Sequence, residues 1–431
     1  MKKLKLDKLN AVVNGVLIGI VVGIITSCFR LLIDRLFLLI RIVYRLAASN
    51  LAWVAVIGLT NIVIGILIAW IINDDPDIKG SGIPQSQGQI TGVLKYPWFK
   101  TLWHKFIGSI LTVGSGIFMG PEGPAIQIGA SAAQGISILR TDDPEKRRTM
   151  MAGGVASGLA TIFNAPIAST LFVLEGVYRD FSILVSLTAL TSAIIANFIS
   201  TVLFGEIPIF HLADLHMYPL HDYGLLIILG VVIGIAGYFY QQITLKVNSI
   251  QFHIKGLPSN FNVLIPLILV IPFGMDLPII LGSGSNLIIK ITRFKFSIGA
   301  ILLYLILRFL LSELSMSTKA PGGILVPMLV IGALIGDLCG QLFIDLGLLN
   351  PIYLSNIIII GMVGFFASIS QTPFTSIILI TEMVGTLQHL MALAFVTVIA
   401  YLIADILGNG PLYDIMLKQI TDCHFKSIYK K

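Results

Sequence analysis

The stretch Gly120-Pro121-Glu122-Gly123-Pro124, "GPEGP", sets one carboxylate between glycines and prolines inside a chain that is otherwise strongly apolar. Of the 431 residues, 56% are hydrophobic and 12% charged, with a mean hydropathy of +0.93. That composition excludes an ordinary soluble domain and defines a polytopic membrane protein. Runs long enough to cross a bilayer, about 20 residues each, occur at 51–72, 183–204, 225–240 with its flanks, and 391–407. Other runs are cut short, because the 41 glycines and 18 prolines punctuate apolar sequence instead of hydrophilic linkers. Such punctuation predicts broken or re-entrant helices packed around a protected interior.

Outward from GPEGP the punctuation repeats. Gly80-Ser81-Gly82 returns as Gly282-Ser283-Gly284, an offset of 202. Pro124 with Ile128-Gly129-Ala130 returns as Pro327 with Ile331-Gly332-Ala333, an offset of 203. "APIASTLFVLE", with Pro166 and Glu175, returns as "TPFTSIILITE", with Pro373 and Glu382, an offset of 207. Three matches in order at nearly constant offset predict one domain of two homologous halves, about 12–205 and 223–420, joined by a polar linker at 206–222. The repeat leaves open whether the halves run parallel or inverted. Interrupted helices at corresponding positions point to a transport site at the repeat interface, although close helix packing alone also uses small residues.

Each anchor has the form of a helix start: Ser81 before an apolar run, Pro124 and Pro327 as first-turn prolines. A helix N-terminus carries about half a positive charge and unpaired N–H groups, so several converging ends hold an anion without a buried cation. A full countercharge in low dielectric would bind the ion too tightly to release it. Glu122 is itself an anion placed among these ends. Deprotonated, it can occupy the anion's place, and protonated it can leave, which couples proton binding to anion movement. The plainer reading is a glutamate that satisfies a helix end or pairs with Lys319.

Five ordered motifs carry a resemblance: "GSGIP" at 80–84, "GPEGPAIQIGA" at 120–130, "FNAP" at 163–166, "APGGILVP" at 320–327 and "GPLY" at 410–413. From about residue 12 to about residue 420 the chain resembles the CLC family of chloride channels and chloride/proton exchangers. The resemblance implies an all-α, inverted-repeat bundle with broken and re-entrant helices, assembled as a homodimer with one anion pathway per subunit. It implies that Ser81, Tyr413 and the backbone N–H groups of Ile324 and Leu325 bind the central anion, and that Glu122 is the gating and proton-carrying glutamate. Without the family, Ser81 is a helix N-cap and Tyr413 an interfacial aromatic. A serine at position 81 goes with chloride within the family, against nitrate or fluoride. The sequence stops soon after Tyr413, so it resembles the membrane core, with no appended regulatory domain expected.

The chain departs from the family in four places. Pro121 stands where a basic residue is usual, and Lys319 appears in the other half, as if the cation had moved there to set the potential near Glu122. Leu325 replaces a phenylalanine whose side chain narrows the path. Glu175 is followed by Gly176, where exchangers commonly carry a second glutamate as an inner proton station. Glu175 cannot substitute, since adjacent helical residues point about 100° apart. Its counterpart Glu382 indicates a shared structural task such as holding a helix end. The expected function is chloride/proton antiport, with passive chloride conduction as the alternative because of Gly176.

Other classes are disfavoured. No nucleophile–base pair or metal-ligand spacing accompanies the histidines His211, His216 and His221 of the linker, so no enzyme, metal or cofactor is expected. "GSGIPQSQG" lacks the ending of a phosphate loop, and no nucleic-acid partner is expected; another secondary solute transporter, a metabolite or cation permease, is the remote alternative, disfavoured because a cation site would expose helix C-termini or several acids where this chain offers N-terminus-like motifs and one candidate acid. Cys28, Cys339 and Cys423 share no redox spacing. Met1-Lys2-Lys3-Leu4-Lys5 and the apolar stretch to Cys28 mimic a signal peptide, but membrane sequence continues throughout. The basic start and the basic tail at 421–431 place both termini in the cytoplasm of a prokaryotic plasma membrane. Arg30, Arg35, Arg41 and Arg45 read as an amphipathic stretch lying in the lipid interface. The runs at 183–204 and 391–407 are the dimer-interface candidates by resemblance.

Overall fold

The computed structural model describes residues 2–206, 208–210, 215–249 and 258–428; His211 and the last three residues of the basic tail lie outside them. Among the described residues the architecture is all α. The N-terminal helices are α1 (Lys2–Ser49), α2 (Leu51–Asp74), α3 (Ile83–Ile90), α4 (Trp98–Gly114), α5 (Glu122–Arg140), α6 (Pro144–Phe163), α7 (Pro166–Phe172) and α8 (Ile183–Phe204). The C-terminal helices are α9 (Tyr223–Ser249), α10 (Leu264–Asp276), α11 (Ser285–Arg293), α12 (Ile298–Ser317), α13 (Leu325–Asp345), α14 (Leu354–Ser370), α15 (Pro373–Val384), α16 (Leu390–Ile406) and α17 (Leu412–Ile428).

Among the described residues, eight helical stretches are long and apolar enough to cross a membrane. Between them lie α3, α7 and α11, with 8, 7 and 9 residues, too short for a crossing that needs about 20. A glycine explains one such break. Gly82, the N-cap of α3, has φ +94, a left-handed conformation that a side chain rarely adopts, and a Cβ there would press on Gln127 of α5.

Burial is layered from the outside in. The apolar windows of α13 and α14 are 83% and 78% buried, against 33% for α12, so α13 and α14 are central and α12 is peripheral. The first twelve residues of α5 are all buried. Exposed Ile, Leu, Val and Phe side chains cover the outer faces, including Leu59, Phe198 and Ile406, as a lipid-facing surface requires. Both small-residue pairs are backbone contacts: α5 meets α6 at Gly129 and Gly154, and α13 meets α14 at Gly332 and Gly361.

The arginine-bearing stretch differs from its expected place. Arg30, Arg35, Arg41 and Arg45 belong to α1, one continuous helix of 48 residues and roughly 72 Å, not to a separate interfacial segment. Nothing breaks the helix between its halves, since no proline occurs in it. Arg30 reaches inward, donating to the Thr161 carbonyl and stacking over the Phe204 ring.

Candidate functional site

The loops that precede α5 and α13 pair with each other. Gly120 and Gly323 exchange reciprocal backbone hydrogen bonds of 2.9 and 2.7 Å, a two-residue antiparallel bridge. Just inside it, Glu122 is fully buried and extends to the start of α13, where its Oε1 accepts the Val326 N–H at 3.0 Å. The Leu325 N–H is directed at the same carboxyl. Helix α5 of one half thus puts its acid on the N-terminus of α13, the corresponding helix in the other half. A Cβ on Gly120 or Gly323 would collide with that carboxyl, which gives both glycines a steric reason.

Ser81 lies against the opening turn of α5, touching the backbone at Gly123. Its Oγ, the Tyr413 phenol oxygen and Glu122 Oε2 are buried and lack hydrogen-bond partners. An unmade hydrogen bond at a buried hydroxyl costs about 1–3 kcal/mol, so two idle donors beside a helix N-terminus suit an anion. Tyr413 is held by an edge contact with Phe172, ring centroids 6.2 Å apart, and lies within electrostatic reach of Glu122. The four expected elements, Ser81, Tyr413, Glu122 and the Ile324-Leu325 backbone, therefore come together. Val326, which the motifs did not single out, supplies the N–H that Glu122 takes, one residue further along than the expected pair.

Two cavities approach this point and share no lining residue. One, about 390 Å³, reaches Pro121 and Val326 together with Arg30, Asn164 and Ser283. The other, about 660 Å³, reaches Gly80, Ser81, Asn248, Ser317, Lys319 and Met416. Lys319 turns its ammonium to the Asn248 carbonyl and side chain, at the wall of the second cavity. Arg30 is the cation that shares a cavity with Pro121.

Buried cations anchor both glycine loops. Lys105 of α4 donates to the carbonyls of Ile78 and Gly80 at 2.8 and 2.7 Å. Arg308 of α12, 203 residues later, donates to Ile280, Gly282 and Ser283 at 2.7, 2.8 and 2.6 Å. Each fixes a turn whose carbonyls lack helix partners. Sequence reading missed both, although a charged side chain inside an apolar helix, as at Arg308, was the available signal. It also missed Glu313 on α12, 5% exposed, so the chain holds more than one intramembrane acid candidate.

Glu175 does hold a helix end. Its carboxylate accepts the Phe374 and Thr375 N–H groups at 3.2 and 2.7 Å, at the start of α15. Glu382 accepts those of Ile167 and Ala168 at 3.1 and 2.7 Å, at the start of α7. Gly176 lies in a π-helical turn, Val173–Val177, where an added Cβ would stand 3.2 Å from Thr372 and 3.5 Å from Phe172. Among the described residues, no His, Cys, Asp and Glu side chains gather as metal ligands would.

An all-helical bundle of interrupted spans with an acid seated on a buried helix N-terminus defines a CLC-type membrane transport protein. Residues 63–405 match the family model described as voltage gated chloride channel, and the chain belongs to that family. It is 32% identical over 352 residues to the H(+)/Cl(-) exchange transporter ClcA of Klebsiella pneumoniae (strain 342), covering 80% of this chain and 74% of that one. The solved structure of a slow cyanobacterial Cl-/H+ antiporter superposes with a TM-score of 0.90 at 26% identity, covering 96% of this chain and 98% of that one. A eukaryotic CLC transporter, 21% identical, shares the fold with a TM-score of 0.78 over 95% of this chain and 74% of its own.

Proposed function

We propose that this protein exchanges chloride for protons across the membrane, with Glu122 as both gate and proton carrier. The observation that carries the reading is the Glu122 carboxylate on the Leu325-Val326 N–H groups, the place that suits a permeating anion. The named activities of the Klebsiella relative and the cyanobacterial structure agree with it. Ser81, Tyr413 and the Ile324 and Leu325 backbone hold the central chloride. The halves at about 12–205 and 223–420 form one domain, and the protein works by transport, without an enzymatic step or cofactor.

The geometry sets the order of events. Deprotonated Glu122 fills the outer anion position and accepts the α13 N–H groups. Protonation removes its charge, which weakens its hold on a positive helix end, so it vacates the position and chloride moves in. Chloride departure and proton loss return the carboxylate, and the two ions move in opposite directions. In the lipid bilayer of a prokaryotic plasma membrane with both termini cytoplasmic, the 660 Å³ cavity, which α17 helps to line, opens inward. The exposed apolar faces of α8 and α16, including Phe198, Val202, Val398 and Leu402, suit a homodimer interface.

The test uses liposomes containing purified protein and a steep chloride gradient, with chloride and external pH followed together and Glu122→Gln beside the wild type. Uphill proton movement that disappears in Glu122→Gln while chloride still flows is the expected result. Chloride flow without proton pumping in the wild type would instead make the protein a channel gated by Glu122.

A further inference from the structure

We propose that Glu313 is the inner proton station of this exchanger, taking the part left empty by the absence of an acid at Gly176. The inference rests on the exchange reading above. Glu313 is the sole acid of α12, whose remaining residues are apolar or small apart from Arg308. An ionisable side chain at such a depth carries a cost that a purely structural position can avoid with glutamine or leucine.

Its surroundings form a route. Thr244 of α9 donates to Glu313 Oε1 at 2.6 Å, while Oε2 is buried and unpaired. The Tyr240 phenol, one helical turn before Thr244, adjoins the same carboxyl. Its oxygen is also buried without a well-aligned partner. Tyr240 is in turn within electrostatic reach of Tyr413, and Tyr413 of Glu122. Buried oxygens without a well-aligned partner thus occur at Glu313, Tyr240, Tyr413 and Glu122, and Gln241, next to Tyr240, donates to the Gly410 carbonyl three residues ahead of Tyr413.

The other end of the route leads to water. Met316 and Ser317, three and four residues beyond Glu313 on α12, line the 660 Å³ cavity. So does Asn248, four residues beyond Thr244 on α9. Residues at these spacings share a helix face, so Glu313 and Thr244 sit one turn behind the cavity wall on both helices. The charged and titratable groups bearing on Glu313 are Tyr240 on α9 and, through Tyr240, Arg308 on its own helix and Tyr413 on α17. Arg308 is committed to three loop carbonyls, and among the described residues no salt bridge reaches the Glu313 carboxyl to fix it in the charged form.

A proton from cavity water binds the Glu313 carboxylate. It then passes to the Tyr240 oxygen as Tyr240 gives up its own proton, and the same exchange at Tyr413 delivers a proton to the Glu122 carboxylate. Each phenol ends with one proton, and the net change is one proton moved from Glu313 to Glu122. The route separates from the anion's path, which enters the same cavity at Ser81.

The experiment compares wild type, Glu313→Gln, Glu313→Asp and Tyr240→Phe in liposomes, with chloride and proton fluxes measured together and dimensions checked by gel filtration. Glu313→Gln keeps the Thr244 hydrogen bond and is expected to pass chloride within about threefold of wild type, while its proton-to-chloride ratio falls at least tenfold. Glu313→Asp should retain part of the coupling, and Tyr240→Phe should lose most of it. Wild-type coupling in a folded Glu313→Gln would overturn the proposal, and so would equal loss of both fluxes, which would mark a structural role. If Glu313→Gln fails to fold, undiminished coupling in Tyr240→Phe overturns the relay. If the wild type pumps no protons, the exchange reading itself falls, and this proposal with it.

Discussion

Glu175 caps the helix that carries Glu382, and Glu382 caps the helix that leads to Glu175. The two carboxylates lock α7 and α15 into a reciprocal pair across the halves. A carboxylate on a helix N-terminus contributes about 0.3–1 kcal/mol at a surface and up to about 2 kcal/mol when partly buried. Glu175→Ala and Glu382→Ala should therefore each destabilise the protein by about 1–2 kcal/mol and lower its melting temperature in detergent. Proton coupling, measured at a temperature where both variants stay folded, should remain. Unchanged melting in both would remove the capping account, and lost coupling in Glu175→Ala would show that Glu175 carries protons after all.

The buried cations invite a different comparison. Lys105 orders the Gly80-Ser81 turn, so Lys105→Met leaves the Ile78 and Gly80 carbonyls without their donor and loosens Ser81. Hydrogen bonds to charged groups are worth about 1.5–3 kcal/mol, and a loss of that size shared with the anion site predicts chloride binding weakened by about tenfold. Arg308→Lys replaces a planar fork, whose two nitrogens reach three carbonyls, with donors radiating from one nitrogen, and should destabilise the fold with less effect on chloride affinity. Calorimetric chloride titration of both variants decides the matter. Equal affinities in Lys105→Met and wild type would show that the loop does not depend on its anchor.

What the sequence makes legible follows from where its constraints are local. GPEGP, GSGIP and GPLY announce themselves because a broken helix must use glycine and proline at fixed offsets, and the elements they begin bring Glu122, Ser81 and Tyr413 together. Glu175 and Glu382 were legible as a pair, but their reciprocity was not, because capping of another helix depends on tertiary placement. Lys105, Arg308 and Glu313 stayed hidden for the same reason. Each is a charged residue in a largely apolar helix, and only the fold shows which carbonyls or phenols it meets. The course of α1 was misread because its arginine spacing fits an interfacial helix, whereas the helix continues unbroken and turns Arg30 inward.

Arg30 yields a prediction about attraction instead of gating. It lines the cavity that reaches Pro121 and Val326, beside Asp34, so its charge is partly offset there. Arg30→Gln should lower chloride flux severalfold at low ionic strength and little at high salt, since exposed electrostatic steering is screened over about 10 Å at 0.1 M. Flux ratios recorded across a salt series check this. A salt-independent loss would point to disturbed packing against Phe204 and Thr161.

The seat of the Glu122 carboxyl leads to the last prediction, on pH. Gly323 has no side chain, and a Cβ there would stand 2.7 Å from Oε1 and 2.8 Å from Cδ of Glu122, with little room to shift because Gly323 is bridged to Gly120. In the wild type the charged carboxyl holds the α13 N–H groups, so chloride flux should rise as pH falls and the neutral form leaves. Charge-assisted hydrogen bonds of about 1.5–3 kcal/mol correspond to roughly a ten- to hundredfold change in occupancy. Gly323→Ala should dislodge the carboxyl at every pH, raising chloride flux at alkaline pH toward the acid value and flattening the profile, as Glu122→Gln should do by removing the charge. Proton coupling should weaken in Gly323→Ala and disappear in Glu122→Gln. Stopped-flow or electrode records of chloride efflux between pH 4.5 and pH 8, converted to rate against pH, give the comparison. A Gly323→Ala profile as steep as the wild type would mean that the carboxyl gates from somewhere other than the N-terminus of α13.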